Sequence, residues 1–271
     1  MKNMDLTKTI RIVYIATHSY CYYAKAFMES LNNFAPGMKK IVTILSDHLE
    51  DWEGYLNGDI ISTSVVKMFD LYYPCINLHK AYFIEQLPPV NTDYIFYFDA
   101  DTVFKHVPDY DWDAFFKDLD EGKLAISKHP VYALKDGALL FKEEKQKWID
   151  NFFTSNLTEK DPNSSAYISA DKYTYIISSF FGGSKETMHK ICEEIMRITR
   201  YDLSRQRGYH IPRYMDENYF NALVYDYQNN INPIFKFSVK QYSEIYNTDN
   251  DNYDTVFMYQ KNLGDYKWNR Q

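Results

Sequence analysis

An α/β fold follows from three features of the amino-acid sequence. Short β-branched and aromatic runs of strand length alternate with segments whose apolar residues recur at helical spacing. Those runs are nearly continuous rather than alternating, the habit of strands buried on both faces. In the N-terminal part their order is strand, helix, strand, strand, and the first two strands close on polar or acidic residues.

The first strand is Ile10 to Thr17, followed by a polar turn at His18-Ser19-Tyr20. Tyr23, Ala26, Phe27 and Leu31 share one face of a helix predicted over Tyr22 to Phe34, which stops before Pro36-Gly37. Ile41 to Leu45 is a second strand, closed by Ser46-Asp47, and Ile60 to Val66 is a third β-rich segment. This order is that of a Rossmann-like nucleotide-binding half, whose ligands gather beyond the carboxyl ends of the strands. A helix over Leu78 to Leu87 is halted by Pro88-Pro89, and Tyr94 to Phe98 then forms a buried strand ended by Asp99-Ala100-Asp101.

After the connection around Val107-Pro108 and Asp109 to Asp113, Leu124 to Ser127 is a further strand leading to Lys128-His129-Pro130. A helix is expected around Glu143 to Phe153, and the polar run Thr158 to Ser165 reads as a mobile loop. Tyr173 to Phe181 is a dense apolar strand ending in Gly182-Gly183, which suits either a close approach of ligand or backbone or a tight turn. Ser184 is placed to cap a helix over Lys185 to Thr199, with Glu186 in its first turn. A last helix, Glu217 to Tyr227, carries Phe220, Leu223 and Val224 on one side, with Asp216 where an N-cap belongs. The tail from Gln228 is polar and ends with Lys261, Lys267 and Arg270.

The 271 residues suffice for one large domain with a sizeable core, and 45% apolar with 25% charged residues is ordinary for a soluble globular protein. A net charge of −7 without a basic run disfavours nucleic acid as a partner. Met38-Lys39-Lys40 and Arg205-Gln206-Arg207 read as solvated surface. Aromatic residues reach 18%, with 26 Tyr and 18 Phe, a composition that suits sugar and nucleotide sites but follows equally from a biased genome. Cys21, Cys75 and Cys192 are widely spaced and fit free thiols in a reducing compartment. Neither a signal peptide nor a membrane-spanning run is apparent, so a soluble, cytoplasmic protein without a transmembrane segment is expected.

The candidate site begins at Asp99 and Asp101. In extended backbone, residues i and i+2 point to the same side, so both carboxylates would converge just beyond their strand. Two adjacent carboxylates repel unless a cation lies between them. A hard divalent cation shared with a diphosphate satisfies that requirement; so, for a lone Asp-X-Asp, does a solvated loop.

Taken in order, Phe98-Asp99-Ala100-Asp101, His129-Pro130, Ser165-Ala166-Tyr167-Ile168, Phe180-Phe181-Gly182-Gly183 and Asp216-Glu217 resemble glycosyltransferase family 6. That family contains the ABO blood-group transferases, the α1,3-galactosyltransferases and shorter bacterial relatives. The resemblance covers most of the chain from Ile10 to Arg270. It implies a single GT-A catalytic domain with a mixed central sheet. A nucleotide-sugar-binding half would span about 10–104, and an acceptor-binding half with the C-terminal tail about 105–271. The implied reaction is retaining: galactose or N-acetylgalactosamine passes from a UDP-sugar to the 3-hydroxyl of a β-galactoside, plain or fucosylated, giving an α1,3 linkage.

Carried over, Asp99 and Asp101 match the Mn²⁺-binding Asp-X-Asp, and Ile15, Thr17 and Tyr20 fall where the family holds uridine. Glu217 matches the glutamate that serves as nucleophile or as stabiliser of the oxocarbenium-like transition state. Asp216 matches the aspartate that binds the donor sugar, and His129 a histidine that contacts the acceptor. Ile177-Ser178-Ser179 falls at the triplet that sets donor and acceptor selectivity, with Ser179 leaning toward galactose. Lys261, Lys267 and Arg270 resemble the basic tail that closes over the diphosphate. The chain departs from the family in having Tyr214-Met215 for Trp-His. It keeps only Thr158-Glu159-Lys160 of the Thr-Tyr-Glu-Arg-Arg segment. Lys80 is taken as the substitute for an arginine on the helix before the Asp-X-Asp. Two other readings compete. One is a phosphatase of the haloacid dehalogenase class using Asp99 as nucleophile, although nearly a hundred residues precede a motif that there follows the first strand. The other is a non-catalytic nucleotide-sugar-binding module.

Overall fold

The computed structural model of the chain describes residues 5–47, 61–68, 71, 75–104, 106, 110–128, 147, 158–170, 173–205, 208, 210–212, 214–228, 236–237 and 257–259. Its strands are β1 (Thr9–Ile15), β2 (Lys39–Ser46), β3 (Ile61–Lys67), β4 (Tyr94–Asp99), β5 (Thr102–Phe104), β6 (Lys123–Lys128), β7 (Ile176–Ser184), β8 (Lys236–Phe237) and β9 (Phe257–Tyr259). The helices are α1 (Ala24–Ser30), α2 (Cys75–Leu78), α3 (Lys80–Glu85), α4 (Trp112–Asp120), α5 (Lys185–Leu203) and α6 (Met215–Gln228).

The central sheet is mixed. Six strands run in the order β3-β2-β1-β4-β7-β6, and the two-residue β8 extends the edge beyond β6. β1, β2, β3 and β4 pair in parallel, whereas β7 is antiparallel to both β4 and β6. The predicted Rossmann-like half is therefore present, with Asp99 at the carboxyl end of a strand flanked on both sides. A second small sheet pairs β5 with β9, setting Tyr259 opposite Thr102.

Side-chain alternation along β4 divides the core. Tyr94, Phe96 and Phe98 join Phe27, Phe34, Phe115 and Phe180 on one face, while Ile95 and Tyr97 join Ile84, Phe181, Met188 and Phe220 on the other. The first face is an edge-to-face and stacked aromatic cluster, with Phe34 5.1 Å from Phe96 and Phe98 4.9 Å from Phe180. Part of the high aromatic content is thus core.

Gly182 and Gly183 lie inside β7 rather than in a turn after it. Gly182 pairs with Phe96, and a Cβ there would come within 2.0 Å of the Phe96 ring. The close approach is to a core side chain, not to a ligand. Gly182→Ala is expected to destabilise the protein by about 1–3 kcal/mol through overpacking, read as a lower thermal midpoint. Adding Phe96→Leu should recover part of the loss; an unchanged midpoint for Gly182→Ala alone would contradict the fit.

Several expectations are corrected locally. The helix predicted over Tyr22 to Phe34 is a 3₁₀ turn at His18–Tyr23, then α1, then a second 3₁₀ turn at Leu31–Asn33. Ser30 Oγ donates to the Ala26 carbonyl at 2.7 Å, and two asparagines follow, both poor support for continuing a helix. The Leu78 to Leu87 helix is two pieces, α2 and α3, meeting at His79. Lys40 is not solvated: it is fully buried, donates to the carbonyls of Ala35 (3.0 Å) and Met38 (3.1 Å), and burial lowers its pKa to about 8. The Thr158 to Ser165 run is tied down, because buried Asp202 accepts from Ser164 Oγ at 2.7 Å, Ser165 N at 3.0 Å and Tyr219 Oη at 3.0 Å. Ser184 caps α5 as predicted, accepting from Thr187 N at 3.2 Å. The helix expected at Glu143 to Phe153 falls outside the described residues except for Lys147.

Candidate functional site

The site is assembled at the carboxyl end of β4 from α3, β7 and the start of α6. Because Asp99 follows Ile95 and Tyr97 on one side of β4, its carboxylate shares the face on which α3 packs. There the Lys80 ammonium lies 3.1 Å from Asp99 Oδ1 and 2.9 Å from Asp216 Oδ2. The Lys80 side chain is only 8% exposed, against 33% for Asp99 and 11% for Asp216. Burial alone would depress the lysine pKa, but the charges of Asp216 and Asp99 hold it well above its ordinary value. Its ammonium also sits 5.1 Å over the Tyr97 ring.

Asp216 and Glu217 enter from the first turn of α6. Asp216 is inside the helix and not its cap, because α6 begins at Met215 and Asn218 Oδ1 accepts the backbone N–H of Tyr214 at 2.7 Å. Met215 has φ +41°, a left-handed conformation that costs a non-glycine residue about 1–2 kcal/mol. Asn221 pins the helix to β7, accepting from Ile176 N at 2.7 Å and donating to Ile176 O at 2.6 Å. Ser178 therefore faces the acidic pair: its Oγ donates to Asp216 Oδ2 at 2.7 Å and its N–H to Glu217 Oε2 at 3.2 Å. Burial raises the Glu217 pKa to about 7; the Tyr175 hydroxyl and the Ser178 N–H act against that rise, and the Asp216 charge adds to it. Such a carboxyl group is poised to change charge near neutral pH.

Beyond Asp99 the extended backbone ends, and Ala100 and Asp101 turn. The same-side argument from strand geometry therefore does not reach Asp101, which is buried in the turn. Tyr14 Oη holds the turn by donating to the Ala100 carbonyl at 2.8 Å. The half-exposed Tyr20 reports on both acids: partial burial, then the charges of Asp101 and Asp99, raise its phenol pKa. Among the described residues no group of three or more His, Cys, Asp or Glu side chains forms a metal cage. Two hard oxygen donors at a strand end fit a cation that completes its shell with diphosphate and water, rather than one held by protein alone.

Ile15 and Thr17 stand at the neighbouring carboxyl end of β1 and just beyond it, next to the Tyr20 turn. Ile177 is buried in the aromatic face of the core and Ser179 is partly exposed on β7. His129, Lys261, Lys267 and Arg270 lie outside the described residues. Sequence reasoning overlooked Tyr97, whose Oη donates to Asp99 Oδ1 at 2.6 Å, and Tyr175 beside Glu217. The first had a visible signal, since it precedes Asp99 by two residues in a strand. The second depends on how β7 meets α6 and had none. Also unforeseen was the small crevice formed by Asn77, Lys80, Ala81, Ser178 and Asp216.

No protein-family model matches this chain, and no curated protein matches it in sequence. Among the described residues no helix is long and apolar enough to cross a membrane.

Proposed function

We propose that the protein is a retaining hexosyltransferase of GT-A type that moves galactose or N-acetylgalactosamine from a UDP-sugar to the 3-hydroxyl of a β-galactoside. The observation that carries this reading is the Lys80 bridge. It joins Asp99 at the end of β4 to Asp216 at the start of α6, so that carboxylates suited to a metal diphosphate and carboxylates suited to a sugar belong to one site. The mixed sheet, with antiparallel β7 beside β4, supports the same reading, as does the position of Asp99 at a strand's carboxyl end.

In this mechanism Asp99 and Asp101 would hold Mn²⁺, whose chemistry is to neutralise the diphosphate that leaves as UDP. Ile15, Thr17 and Tyr20, at and just beyond the carboxyl end of β1, would receive the nucleoside. Asp216 orients the sugar, and Glu217, once ionised, stabilises positive charge at the anomeric carbon or attacks it. The Ser178 N–H bond to Glu217 favours that ionised form. The β5–β9 pairing brings Phe257–Tyr259 to the strand after Asp101.

With UDP-galactose and Mn²⁺ the protein should release UDP slowly without acceptor and faster with lactose, and EDTA should abolish both. Cleavage of p-nitrophenyl phosphate, with no turnover of UDP-galactose or UDP-N-acetylgalactosamine, would instead establish the phosphatase reading. Binding of the UDP-sugars without any turnover would leave a non-catalytic module.

A further inference from the structure

We infer that Tyr97 and Ser178 are positioning residues of this site: each hydroxyl fixes one of the two carboxylates that share the Lys80 ammonium, and so sets which carboxylate edge faces the donor. The inference rests on the functional reading above.

The geometry is that of a chain of five side chains from four elements. Tyr97 Oη donates to Asp99 Oδ1 at 2.6 Å, and Lys80 Nζ reaches the same oxygen at 3.1 Å. Lys80 Nζ is also 2.9 Å from Asp216 Oδ2, which accepts from Ser178 Oγ at 2.7 Å. One oxygen of each carboxylate therefore takes two short polar contacts. The terminal torsion of an aspartate is otherwise broad, and two contacts on one oxygen remove that freedom. Exposure follows the same division, since Tyr97 is 2% exposed while the Asp99 side chain is 33% exposed and open to solvent.

Packing does not call for the Tyr97 hydroxyl. Its ring lies 5.3 Å from Phe181 and beneath the Lys80 ammonium, contacts that a phenylalanine would also make. A buried hydroxyl is unfavourable without a partner, and here the partner is the candidate metal ligand. Lys80, buried and directed at both acids, ties the two carboxylates together. Ser178 likewise has its hydroxyl committed to Asp216, so within the Ile177-Ser178-Ser179 triplet it orients an acid as well as lining the crevice.

The test uses the full chain, with Mn²⁺, UDP and UDP-galactose as probes. Tyr97→Phe is expected to weaken Mn²⁺ binding to the protein–UDP complex by about ten- to a hundredfold, the usual cost of losing a partner that orients a ligand. UDP affinity measured in EDTA should stay within about twofold. Ser178→Ala should leave Mn²⁺ affinity within about twofold and reduce the preference for UDP-galactose over UDP about fivefold, as for one lost hydrogen bond. Equal losses of UDP and Mn²⁺ binding in Tyr97→Phe would mean a merely structural role and overturn the assignment, as would normal binding by both variants. If Tyr97→Phe does not fold, Ser178→Ala decides, and an unchanged sugar preference overturns the assignment. A wild-type protein that binds neither Mn²⁺ nor UDP overturns the functional reading and this inference with it; wild-type binding of both, with unaltered variants, overturns this inference alone.

Discussion

Glu217→Gln is expected to lower UDP-galactose turnover by about a hundredfold or more, in line with the loss of one electrostatic stabiliser at a reacting centre. Donor affinity should change little, because the ionised carboxylate is required at the transition state more than in the ground state. A loss below about threefold with unchanged affinity would show that a different carboxylate faces the sugar. The same substitution should alter stability in a pH-dependent way. Glu217 has a folded-state pKa of about 7 against an ordinary value of 4.5. Between those values the folded protein binds more protons than the unfolded chain, so this group's contribution is present in full below pH 4.5 and is lost as pH rises through 7. The loss is on the order of 3 kcal/mol. Glutamine does not titrate, so the variant should gain stability relative to wild type between pH 4.5 and pH 8, followed as the difference in thermal midpoint. A constant difference across that range would rule out the raised pKa.

Lys80→Met should be the most destabilising single change in the site. Removing the cation leaves Asp99 and Asp216 facing each other across a buried gap, and breaking a buried ion pair from one side costs roughly 3–5 kcal/mol. Because Asp99 is 33% exposed and partly screened by water, the low end, about 3 kcal/mol, is expected. For a chain of this size that lowers the thermal midpoint by roughly 6–12 °C. Adding Asp216→Asn removes one of the repelling charges and should restore a substantial part of the loss. Wild-type stability in Lys80→Met alone would mean that the ammonium does not hold the acids together.

In the sequence β3, the partly exposed edge strand, was marked by its β-branched residues. β1, β2 and β4 were legible because they are largely buried on both faces, and continuous apolar runs such as Tyr94 to Phe98 have few alternative uses. Asp99 was legible for the same reason, being the abrupt end of such a run. Helix continuity was not: periodicity through Tyr22 to Phe34 carries no sign of the 3₁₀ turns on either side of α1. Tertiary partners of polar residues were hidden as well. Asp202 lies in the last turn of α5, past the end predicted at Thr199, and only the fold brings it to Ser164, Ser165 and Tyr219. Lys40 looked like surface because it is the second of two consecutive lysines, yet two backbone carbonyls draw it inward. The site was readable as separate acids and a lysine, Lys80, matched to a family position, while the double ion pair by which Lys80 joins Asp99 to Asp216 depends on the fold.

The recess that Gly182 leaves for Phe96 has an effect beyond packing. It works as a key for strand alignment: sliding β7 by two positions would present Phe180 or Ser184 where the ring must enter. Slipped alignments are thereby rejected, although β4 and β7 are far apart in the chain. Since β7 runs on past Phe180 to Ser178, the height at which Ser178 meets Asp216 is set by a missing side chain in the core, at the opposite end of the strand from the chemistry.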